Sequence, residues 1–389
     1  MVSNKVKNLC RFLTKSKYGF KQPELFINLT YQCPLRCKFC YVNYTKNKDF
    51  SLEDLCYLFE EGILKTSNIK LVTFFGGEPL LKIDYIERIL ELYYEKLCAL
   101  NIHMAVITSF SVNANRHMEL IKKYPLFETL ISFDNYSEER VFVNQKPFKV
   151  LDNINLEELS KYKRNICFHE VIDNNNSIKD INLLRDIYNR YGILYSWCWN
   201  KTPTNTFDFK DEYKEMIRKI VSDDSYLPLV LTREIESYLN RQNYGCGIGF
   251  EFFISSNCDV SPCSISHHNN LLLMQEGVLQ EEVPEEIQNL TYNIYNNENC
   301  AKCSLKGFCN GGCLMERIKS RNDFNSVNPF LCQRMNQLYQ VYDELFNELT
   351  YDEIEKIMQK VYTNNEGVLG YCYDRSINID MYKCFELGD

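Results

Sequence analysis

Three cysteines near the N-terminus, Cys33, Cys37 and Cys40, are spaced as ligands of one small inorganic cluster. Three and then two residues separate them, so a single loop can bring all three thiolates together. The next cysteine, Cys56, falls inside a predicted helix. A structural zinc site needs four protein ligands, whereas a cubane iron–sulfur cluster on three thiolates keeps one iron free for an outside ligand. The spacing therefore favours an iron–sulfur cluster, with zinc as the alternative.

A second motif, Gly76-Gly77-Glu78-Pro79, directly follows the second predicted strand. Neither glycine has a Cβ atom, so the backbone here can approach a ligand closely. Pro79 suits the first turn of a following helix, and Glu78 offers an acceptor for an ammonium group. In isolation the segment favours a tight strand-to-helix turn with a surface glutamate. Its place one strand and one helix after the three cysteines favours the ligand-binding interpretation.

The third feature is the number of cysteines, 18 in 389 residues, ten of which lie between Cys246 and Cys384. Eight of these ten form a spaced series: Cys246, Cys258, Cys263, Cys300, Cys303, Cys309, Cys313 and Cys332. Seven or eight thiols are enough for two further sites of three or four ligands each. A single zinc site on the four neighbouring cysteines from Cys300 to Cys313 is the alternative.

Composition limits the partners and the compartment. The chain has 44 Lys and Arg against 52 Asp and Glu, a net charge of −8, which argues against nucleic-acid binding driven by charge. No stretch resembles a signal peptide or reaches the roughly 18 apolar residues that span a membrane. We therefore expect a cytoplasmic protein without a membrane or nucleic-acid partner. Its thiols stay reduced there, so clustered cysteines indicate metal binding rather than disulfides.

The elements that must position these residues alternate between strand and helix. Strands are predicted at 24–31, 70–75, 103–109, 128–134, 165–173 and 193–199, and helices at 51–66, 80–100 and 177–191. Ser51 and Asp54 make a capping box at the start of the first of these helices. The alternation predicts a parallel α/β sheet, and six units are too few for an eight-fold barrel. We expect a partial (β/α)6 TIM-like barrel, with the three cysteines and the glycine motif at its ligand-binding carboxyl edge.

The chain divides into five predicted parts. These are a short basic segment (1–22), the partial barrel (23–200), a helical bridge (201–245), a small Cys-rich domain (246–335), and a C-terminal helix with a tail (336–389). The Cys-rich part is turn-rich, with little room for a core of its own, and one long amphipathic helix is predicted near 333–361. The basic segment contains six Lys or Arg and no acidic residue. It could be a solvated tail or could dock an acidic leader peptide.

The spacing Cys33-x3-Cys37-x-Phe39-Cys40 resembles that of the radical S-adenosylmethionine (SAM) enzymes, in which an aromatic residue precedes the third cysteine. The resemblance implies that SAM chelates the free iron of a [4Fe–4S] cluster through its amino and carboxylate groups. It also implies reductive cleavage of SAM to a 5′-deoxyadenosyl radical that abstracts hydrogen from a substrate. Phe39 would then pack near the adenine, and Gly76 to Pro79 would hold the methionyl amine.

Fainter matches follow on the later strands. By the same resemblance, Ser109 at the end of the third strand, and Ser132 and Asp134 at the end of the fourth, would contact the ribose and carboxylate of SAM. Arg140 could pair with that carboxylate or remain a solvated charge. No residue is identified as a catalytic acid or base.

The second cysteine series resembles the SPASM extension of peptide-modifying radical SAM enzymes, which carries two auxiliary [4Fe–4S] clusters. The resemblance assigns one cluster to Cys300, Cys303, Cys309 and Cys332, and the other to Cys246, Cys263 and Cys313. Cys258 stands where that family usually has glycine. It could be a fourth ligand of the second of these clusters, or it could be structural and leave an iron open for substrate. Three clusters are thus expected in total.

The SPASM resemblance implies a substrate that is a peptide or protein side chain. We expect a thioether or carbon–carbon crosslink in a ribosomally made precursor peptide, with conversion of Cys or Ser to formylglycine in a sulfatase as the alternative. Both are net oxidations, so the auxiliary clusters are expected to carry an electron away. A flavodoxin- or ferredoxin-type reductant and a separate leader-recognition protein are the expected further partners. A non-catalytic iron–sulfur electron carrier or a zinc module is the alternative from another class.

Overall fold

A computed structural model of the chain describes residues 2–15, 24–42, 49–66, 69–200, 203, 205–222, 226–240, 251–268, 272–279, 298–309 and 327–363. Four cysteines, Cys246, Cys313, Cys372 and Cys384, lie outside these residues, so the ligand predictions for Cys246 and Cys313 do too.

Six parallel strands form the centre of the fold. They are β1 (Glu24–Thr30), β2 (Leu71–Gly76), β3 (His103–Thr108), β4 (Phe127–Ser132), β5 (Ile166–Ile172) and β6 (Leu194–Trp199). They pair in chain order, each with the next. Strands covered on both faces read as near-continuous apolar runs, and this pattern made all six predictable. The partial (β/α)6 barrel is confirmed.

The sheet continues beyond β1 into the Cys-rich part of the chain. β7 (Glu251–Ile254) pairs with β1 in parallel, and β8 (Val260–Ser261), β9 (Met274–Gln275) and β10 (Val278–Leu279) follow in antiparallel pairs. Within the described residues, one sheet therefore has ten strands. Residues 251–279 thus extend the barrel sheet, and Phe252 and Ile254 belong to its core. The division into a barrel and a Cys-rich domain stays a prediction.

Five helices cover the barrel strands. They are α2 (Leu52–Tyr57), α3 (Ile83–Ala99), α4 (Ala114–Lys123), α5 (Leu156–Ser160) and α6 (Asn175–Tyr191), and α1 is described below. α2 continues as a π turn (Leu58–Gly62) and a 3-10 turn (Ile63–Lys65), where one regular helix was predicted. Ser51 Oγ accepts the N–H of Asp54 at 3.0 Å, as the capping box predicts. The Asp54 carboxylate instead accepts the N–H of Ser3, at 2.7 Å.

The N-terminal basic segment is a packed helix rather than a solvated tail. α1 (Asn4–Lys15) buries Val6, Leu9, Cys10, Phe12 and Leu13. The ring of Phe12 lies 6.0 Å from that of Phe252 on β7. The tail prediction is wrong for residues 4–15, because apolar side chains at helical spacing give the segment one buried face. Docking of an acidic leader stays a prediction.

Most of the described residues after β6 are helical. It contains α7 (Lys210–Ser222), α8 (Leu229–Asn240), α9 (Ser264–His268), α10 (Glu298–Ala301), α11 (Lys306–Cys309), α12 (Pro329–Glu348) and α13 (Tyr351–Thr363). α7 and α8 lie within the predicted helical bridge (201–245). The single helix predicted near 333–361 is two helices, because Leu349 is extended and Thr350 caps the next one. The predicted boundary after residue 335 falls inside α12, which carries Cys332.

The core lies mostly between the sheet and its outer helices. A smaller apolar cluster of Leu130, Cys167 and Leu194 occupies the opposite face of β4, β5 and β6. Side chains of a strand alternate between faces, so His169, which is hydrogen-bonded to Ser196 at 2.8 Å, shares the face of Cys167. Among the described helices, none has the length and apolarity needed to cross a membrane.

Candidate functional site

The three cysteines lie on a loop (residues 33–40, the cysteine loop) at the carboxyl end of β1. Leu35 is completely buried and forms a bridge with Phe142. The N–H of Arg36 donates to the carbonyl of Val141 at 2.7 Å, and that of Lys38 to the carbonyl of Glu139 at 2.9 Å. The loop is therefore held in register by a segment that follows β4 about 100 residues later in the chain.

The three cysteines of the loop form no disulfide bond with the other described cysteines, and their side chains are partly buried. The N–H of Leu35 donates to Cys33 Sγ at 3.4 Å, and Arg140 Nη1 donates to Cys37 Sγ at 3.6 Å. Burial raises the pKa of Cys33 to about 12 and also raises the pKa of Cys37, where Arg140 opposes the rise. Thiolates are the ligands of iron, and a bound cation lowers thiol pKa values. A cationic cluster thus fits this partly buried group of thiols.

The glycine motif packs against the start of the cysteine loop. Gly76 has φ +152°, and a Cβ atom there would lie 2.4 Å from the carbonyl oxygen of Thr30. A Cβ on Gly77 would lie 2.4 Å from the carbonyl oxygen of Gln32. Both glycines are needed because the end of β2 touches the backbone that leads into the cysteine loop. The structure thus shows a close approach of two protein segments, whereas the sequence suggested a close approach to a ligand.

Glu78 is fully buried, so the surface-glutamate alternative is wrong. Its carboxylate accepts hydrogen bonds from the N–H of Leu80 at 3.1 Å, from Thr108 Oγ1 at 2.6 Å, and from both the N–H (2.9 Å) and hydroxyl of Ser109. Burial raises its pKa, and these bonds oppose the rise. Glu78 therefore joins the carboxyl ends of β2 and β3. Its role toward an ammonium group stays a prediction.

Pro79 stands in the first turn of a 3-10 helix (Pro79–Lys82), as the sequence predicts. Ser109 lies directly after β3 and binds Glu78 and the hydroxyl of Ser111, the latter at 2.7 Å. Ser132 closes β4 beside His169 of β5. The structure thus places both predicted serines at the carboxyl edge, and contact with SAM remains a prediction for each.

A tight loop after β4 begins at Asp134 and ends at Arg140. The Asp134 carboxylate accepts the N–H of Glu138 at 3.0 Å and that of Arg140 at 2.8 Å. Asp180 of α6 accepts three further N–H groups of this loop, those of residues 135–137. Arg140 is 6% exposed, so the solvated-charge alternative is wrong, and its guanidinium lies 4.8 Å from the ring centre of Phe39.

Two buried side chains at this edge have polar atoms without partners within the described structure. Sequence reasoning predicted that Glu170 could face the active site or cap the sheet, and it missed Asn28. Asn28 of β1 is 1% exposed, and neither its amide nitrogen nor its oxygen is hydrogen-bonded. Its oxygen is 3.0 Å from where a Cβ of Gly76 would lie. Glu170 of β5 is also 1% exposed, with one carboxylate oxygen unbonded. Unbonded buried polar groups are costly, so these two fit a site completed by a ligand.

Cys263, a predicted auxiliary ligand, is tied to the cysteine loop through α9. The hydroxyls of Tyr41 and Ser264 are 2.8 Å apart. Tyr31 is hydrogen-bonded to His267 Nε2 at 2.7 Å. Sequence reasoning missed both pairs because 223 and 236 residues separate their members along the chain. They bring Cys263 to the vicinity of the cysteine loop.

Cys258 has the left-handed φ of 63° that a glycine would adopt most easily. Its thiol is 3% exposed, and the titratable groups around it are Asp54, Asp259, Lys5 and Cys10. Burial raises its pKa to about 12. Except for Asp259, these neighbours belong to α1 and α2, and none is a predicted cluster ligand. The surroundings favour the structural alternative for Cys258, and its ligand role stays an untested prediction.

The remaining described cysteines of the series lie on or beside short helices and on α12. The N–H of Cys303 donates to the carbonyl of Cys300 at 3.2 Å, and Phe308, beside Cys309, packs 5.7 Å from Tyr339 of α12. Among the side chains that the structure describes, no three of Cys, His, Asp and Glu converge closely enough to bind a single metal ion. The ligands of a cubane bind different irons, so they lie farther apart than ligands of one ion.

Comparison with known proteins agrees with this geometry. Residues 27–188 match the model of the radical SAM superfamily. Residues 27–188 are therefore similar to a radical SAM domain. The match covers β1 to α6, including the cysteine loop, the glycine motif and Arg140. It supports binding of SAM and of the radical SAM iron–sulfur cluster.

Two curated proteins are similar in sequence. Radical SAM cyclopropyl synthase TigE from Paramaledivibacter caminithermalis is 25% identical over 344 residues, covering 81% of this chain and 66% of TigE. Uncharacterized protein MJ0907 from Methanocaldococcus jannaschii is 29% identical over 127 residues, covering 32% of this chain and 44% of that protein. The chain thus spans just under two thirds of the first relative and less than half of the second.

Solved structures share the fold. The anSMEcpe structure with bound AdoMet has a TM-score of 0.61 at 18% identity, covering 83% of this chain and 98% of its own. Streptococcus suis SuiB bound to precursor peptide SuiA has a TM-score of 0.56 at 17% identity, covering 84% and 79%. Both likenesses confirm the predicted fold class.

Proposed function

We propose that this protein is a radical SAM peptide maturase that forms a thioether or carbon–carbon crosslink in a ribosomally made precursor peptide. One observation supports this most. The similarity to TigE covers 81% of the chain, well beyond the radical SAM match at 27–188, and so takes in part of the Cys-rich region. A catalyst confined to the barrel would not require likeness over that length.

In this proposal, Cys33, Cys37 and Cys40 hold the SAM-binding [4Fe–4S] cluster. The remaining SAM contacts come from Phe39, Gly76, Gly77, Glu78, Pro79, Ser109, Ser132, Asp134 and Arg140. Bound there, SAM and the cluster would supply a 5′-deoxyadenosyl radical to the substrate. The chain's own contribution is to fix the loop and the strand ends: Glu78 joins β2 to β3, and Asp134 orders the backbone up to Arg140.

Two auxiliary [4Fe–4S] clusters complete the proposal. Cys300, Cys303, Cys309 and Cys332 hold one, and Cys246, Cys263 and Cys313 hold the other. Tyr41 and Ser264 join Cys263 to the cysteine loop, which supports a position for the second of these clusters beside the barrel. Cys258 is left out of the ligand set because it is packed against α1 and α2.

The substrate class rests on the similar proteins. SuiB has been solved with a precursor peptide and anSMEcpe with the Cp18Cys peptide, and TigE is named for forming a cyclopropyl group. All of this is known of those proteins and supports a peptide substrate here. We further propose a cytoplasmic location, a flavodoxin- or ferredoxin-type reductant, and a separate leader-recognition protein as partners.

Formation of formylglycine in a sulfatase is the second candidate function. The fold likeness to anSMEcpe, which covers 98% of that structure, is compatible with it. A non-catalytic electron carrier or zinc module is the candidate from another class. It does not explain why the strand ends around Glu78 are ordered by buried hydrogen bonds.

The test begins with anaerobic reconstitution of the whole chain. About twelve irons per chain are expected for three cubanes, with 5′-deoxyadenosine formed on addition of SAM and reductant. Co-expression with candidate precursor peptides should give a product lighter by two hydrogens with an internal link, seen by mass spectrometry. A formylglycine product would select the second candidate. Bound zinc, or no 5′-deoxyadenosine, would select the non-catalytic one.

A further inference from the structure

The guanidinium of Arg140 touches both a predicted cluster ligand and the aromatic residue between two of the ligands. Nη1 donates to Cys37 Sγ at 3.6 Å, and the guanidinium carbon lies 4.8 Å from the centre of the Phe39 ring. Nε donates to the carbonyl of Phe133 at 3.3 Å. The planar guanidinium group thus lies over an aromatic ring while it donates to a side-chain sulfur and to a backbone carbonyl, a combination that lysine cannot make.

The backbone at Arg140 is fixed from three directions. Its N–H donates to Asp134 Oδ2 at 2.8 Å, and its carbonyl accepts the N–H of Phe148 at 2.9 Å. The residues on either side of it pair with the cysteine loop, Glu139 with Lys38 and Val141 with Arg36. The Arg140 side chain is therefore directed toward Cys37 by the same backbone hydrogen bonds, between residues 36–38 and 139–141, that set the register of the cysteine loop.

The carboxylates near Arg140 leave its hydrogen bond to Cys37 in place. Asp134 and Glu170 lie near the guanidinium, which is 6% exposed. Glu170 keeps one oxygen unbonded, so it does not hold Arg140 away from the thiol by a bidentate ion pair. A buried cation with an N–H directed at sulfur stabilises electron density on that sulfur.

We propose that Arg140 is a positioning residue that holds Cys37 and raises the reduction potential of the cluster bound by the cysteine loop. The inference rests on the proposed function, since it assumes a cluster on Cys33, Cys37 and Cys40. Hydrogen bonds to ligand sulfurs and nearby charge are established determinants of iron–sulfur potentials. Both act here in the same direction, because reduction adds negative charge next to a buried cation.

The test compares Arg140→Met with Lys38→Met in the reconstituted full-length protein. Lys38 is on the same loop and also carries one positive charge, but its side chain is 59% exposed and pairs with Glu139 at 3.5 Å. Redox titrations without SAM are followed by electron paramagnetic resonance. The signal missing from a Cys33→Ala, Cys37→Ala, Cys40→Ala triple variant belongs to this cluster.

Arg140→Met should lower the ratio of reduced to oxidised cluster at a fixed potential about tenfold, equal to about 59 mV for one electron. Lys38→Met should match the wild type, because an exposed charge is screened. Arg140→Gln keeps a donor without the charge and should shift the potential in the same direction by less. It also decides the outcome if Arg140→Met fails to load iron.

A wild-type potential in the Arg140 variants, together with weaker SAM binding, would overturn the inference and leave Arg140 with the SAM carboxylate alone. Failure of the proposed function would be seen differently. The wild type and Lys38→Met would then also lack the cluster signal after treatment with iron and sulfide.

Discussion

The two cysteine regions of this protein differ in what holds them. The cysteine loop is paired with residues 139–141 and receives a hydrogen bond from Arg140 to a ligand sulfur. In the segment 298–309, the cysteines are linked by turns of the segment itself, such as Cys303 to Cys300 and Cys309 to Leu305. Phe308 packs this segment against α12.

The difference indicates two ways of building a cluster site. Around the cysteine loop, strand ends and buried carboxylates fix the backbone before any cluster binds. In the segment 298–309, the proposed ligation would itself supply much of the order, as in small metal-bound domains whose binding free energy is part of their folding free energy. The following predictions test this contrast, from the largest expected effect to the smallest.

Cys37→Ala should reduce 5′-deoxyadenosine formation to background, because two remaining thiols cannot hold a site-differentiated cubane. The melting temperature of the barrel should stay near that of the wild type, since the ladder to residues 139–141 uses backbone atoms. Cys98→Ala, a partly exposed cysteine on α3, is the matched control and should retain activity. A Cys37→Ala barrel that fails to fold would contradict prior ordering of the loop.

Removal of iron by a chelator should affect the two regions unequally. Amide hydrogen exchange in 298–309 should accelerate by at least about tenfold, equal to about 1.4 kcal/mol of lost protection. Exchange in the cysteine loop should change much less at Arg36 and Lys38, whose N–H groups are paired with Val141 and Glu139. Equal acceleration in both regions would refute the contrast.

Two buried carboxylates allow a matched comparison of the barrel edge with the C-terminal helices. Glu234 of α8 accepts hydrogen bonds from Tyr213 at 2.8 Å, Tyr342 at 2.6 Å and Trp199 at 3.0 Å, and so joins β6, α7 and α12. Glu78→Gln and Glu234→Gln should each lower the free energy of unfolding by about 1–3 kcal/mol, the usual effect of leaving a buried donor unpaired.

The location of the effect separates the two variants. Glu234→Gln should increase hydrogen exchange in α12 and leave β2 and β3 protected, and Glu78→Gln should do the reverse. Urea unfolding gives the size of the effect, and exchange with mass spectrometry gives its place. Loss of protection throughout the chain in either variant would mean that the two regions unfold as one unit.

The effect that is smallest near neutral pH is a pH dependence confined to the barrel. His117 of α4 is fully buried, hydrogen-bonded to Thr129 at 2.8 Å, and burial lowers its pKa from 6.5 to about 3. Below about pH 6.5 the unfolded chain binds a proton that the folded chain does not. Stability should therefore fall as the pH decreases from about 6.5 toward 3, by up to about 1.4 kcal/mol per pH unit.

His117→Phe should remove this part of the slope, since the histidine ring already packs edge-on against Phe110 and Phe127, with ring centres 5.5 Å away. Denaturant unfolding at several pH values measures the slope. An unchanged slope in His117→Phe would assign the acid sensitivity to groups other than His117.

Most of the barrel was predictable because its information is local. Each parallel strand is a short apolar run, and the pairing in chain order follows from alternation with helices. The irregular turns after α2 and the break at Leu349 were not predictable in this way. Apolar spacing alone does not distinguish a continuous helix from one that changes its hydrogen-bond pattern or is interrupted.

The site was predictable as a set of positions but not as a set of contacts. The cysteine spacing and the motif from Gly76 to Pro79 identified the correct edge of the sheet. The contacts of Glu78 with Thr108 and Ser109, and of Arg140 with Cys37, depend on which loops meet at that edge. For Asn28, the sequence signal was a single amide side chain in an otherwise apolar strand, which could have indicated a polar group at the site.

The sequence by itself determined the types and spacing of the thiols, the strand–helix alternation and the place of the glycine motif, because each depends only on residues that are close together in the chain. Only the tertiary structure decided that α1 is packed, that β7 to β10 extend the barrel sheet, and that Cys258 lies against α1 and α2. It alone also joined Tyr31 to His267 across 236 residues. These outcomes depend on contacts between distant segments, whose geometry no local pattern specifies.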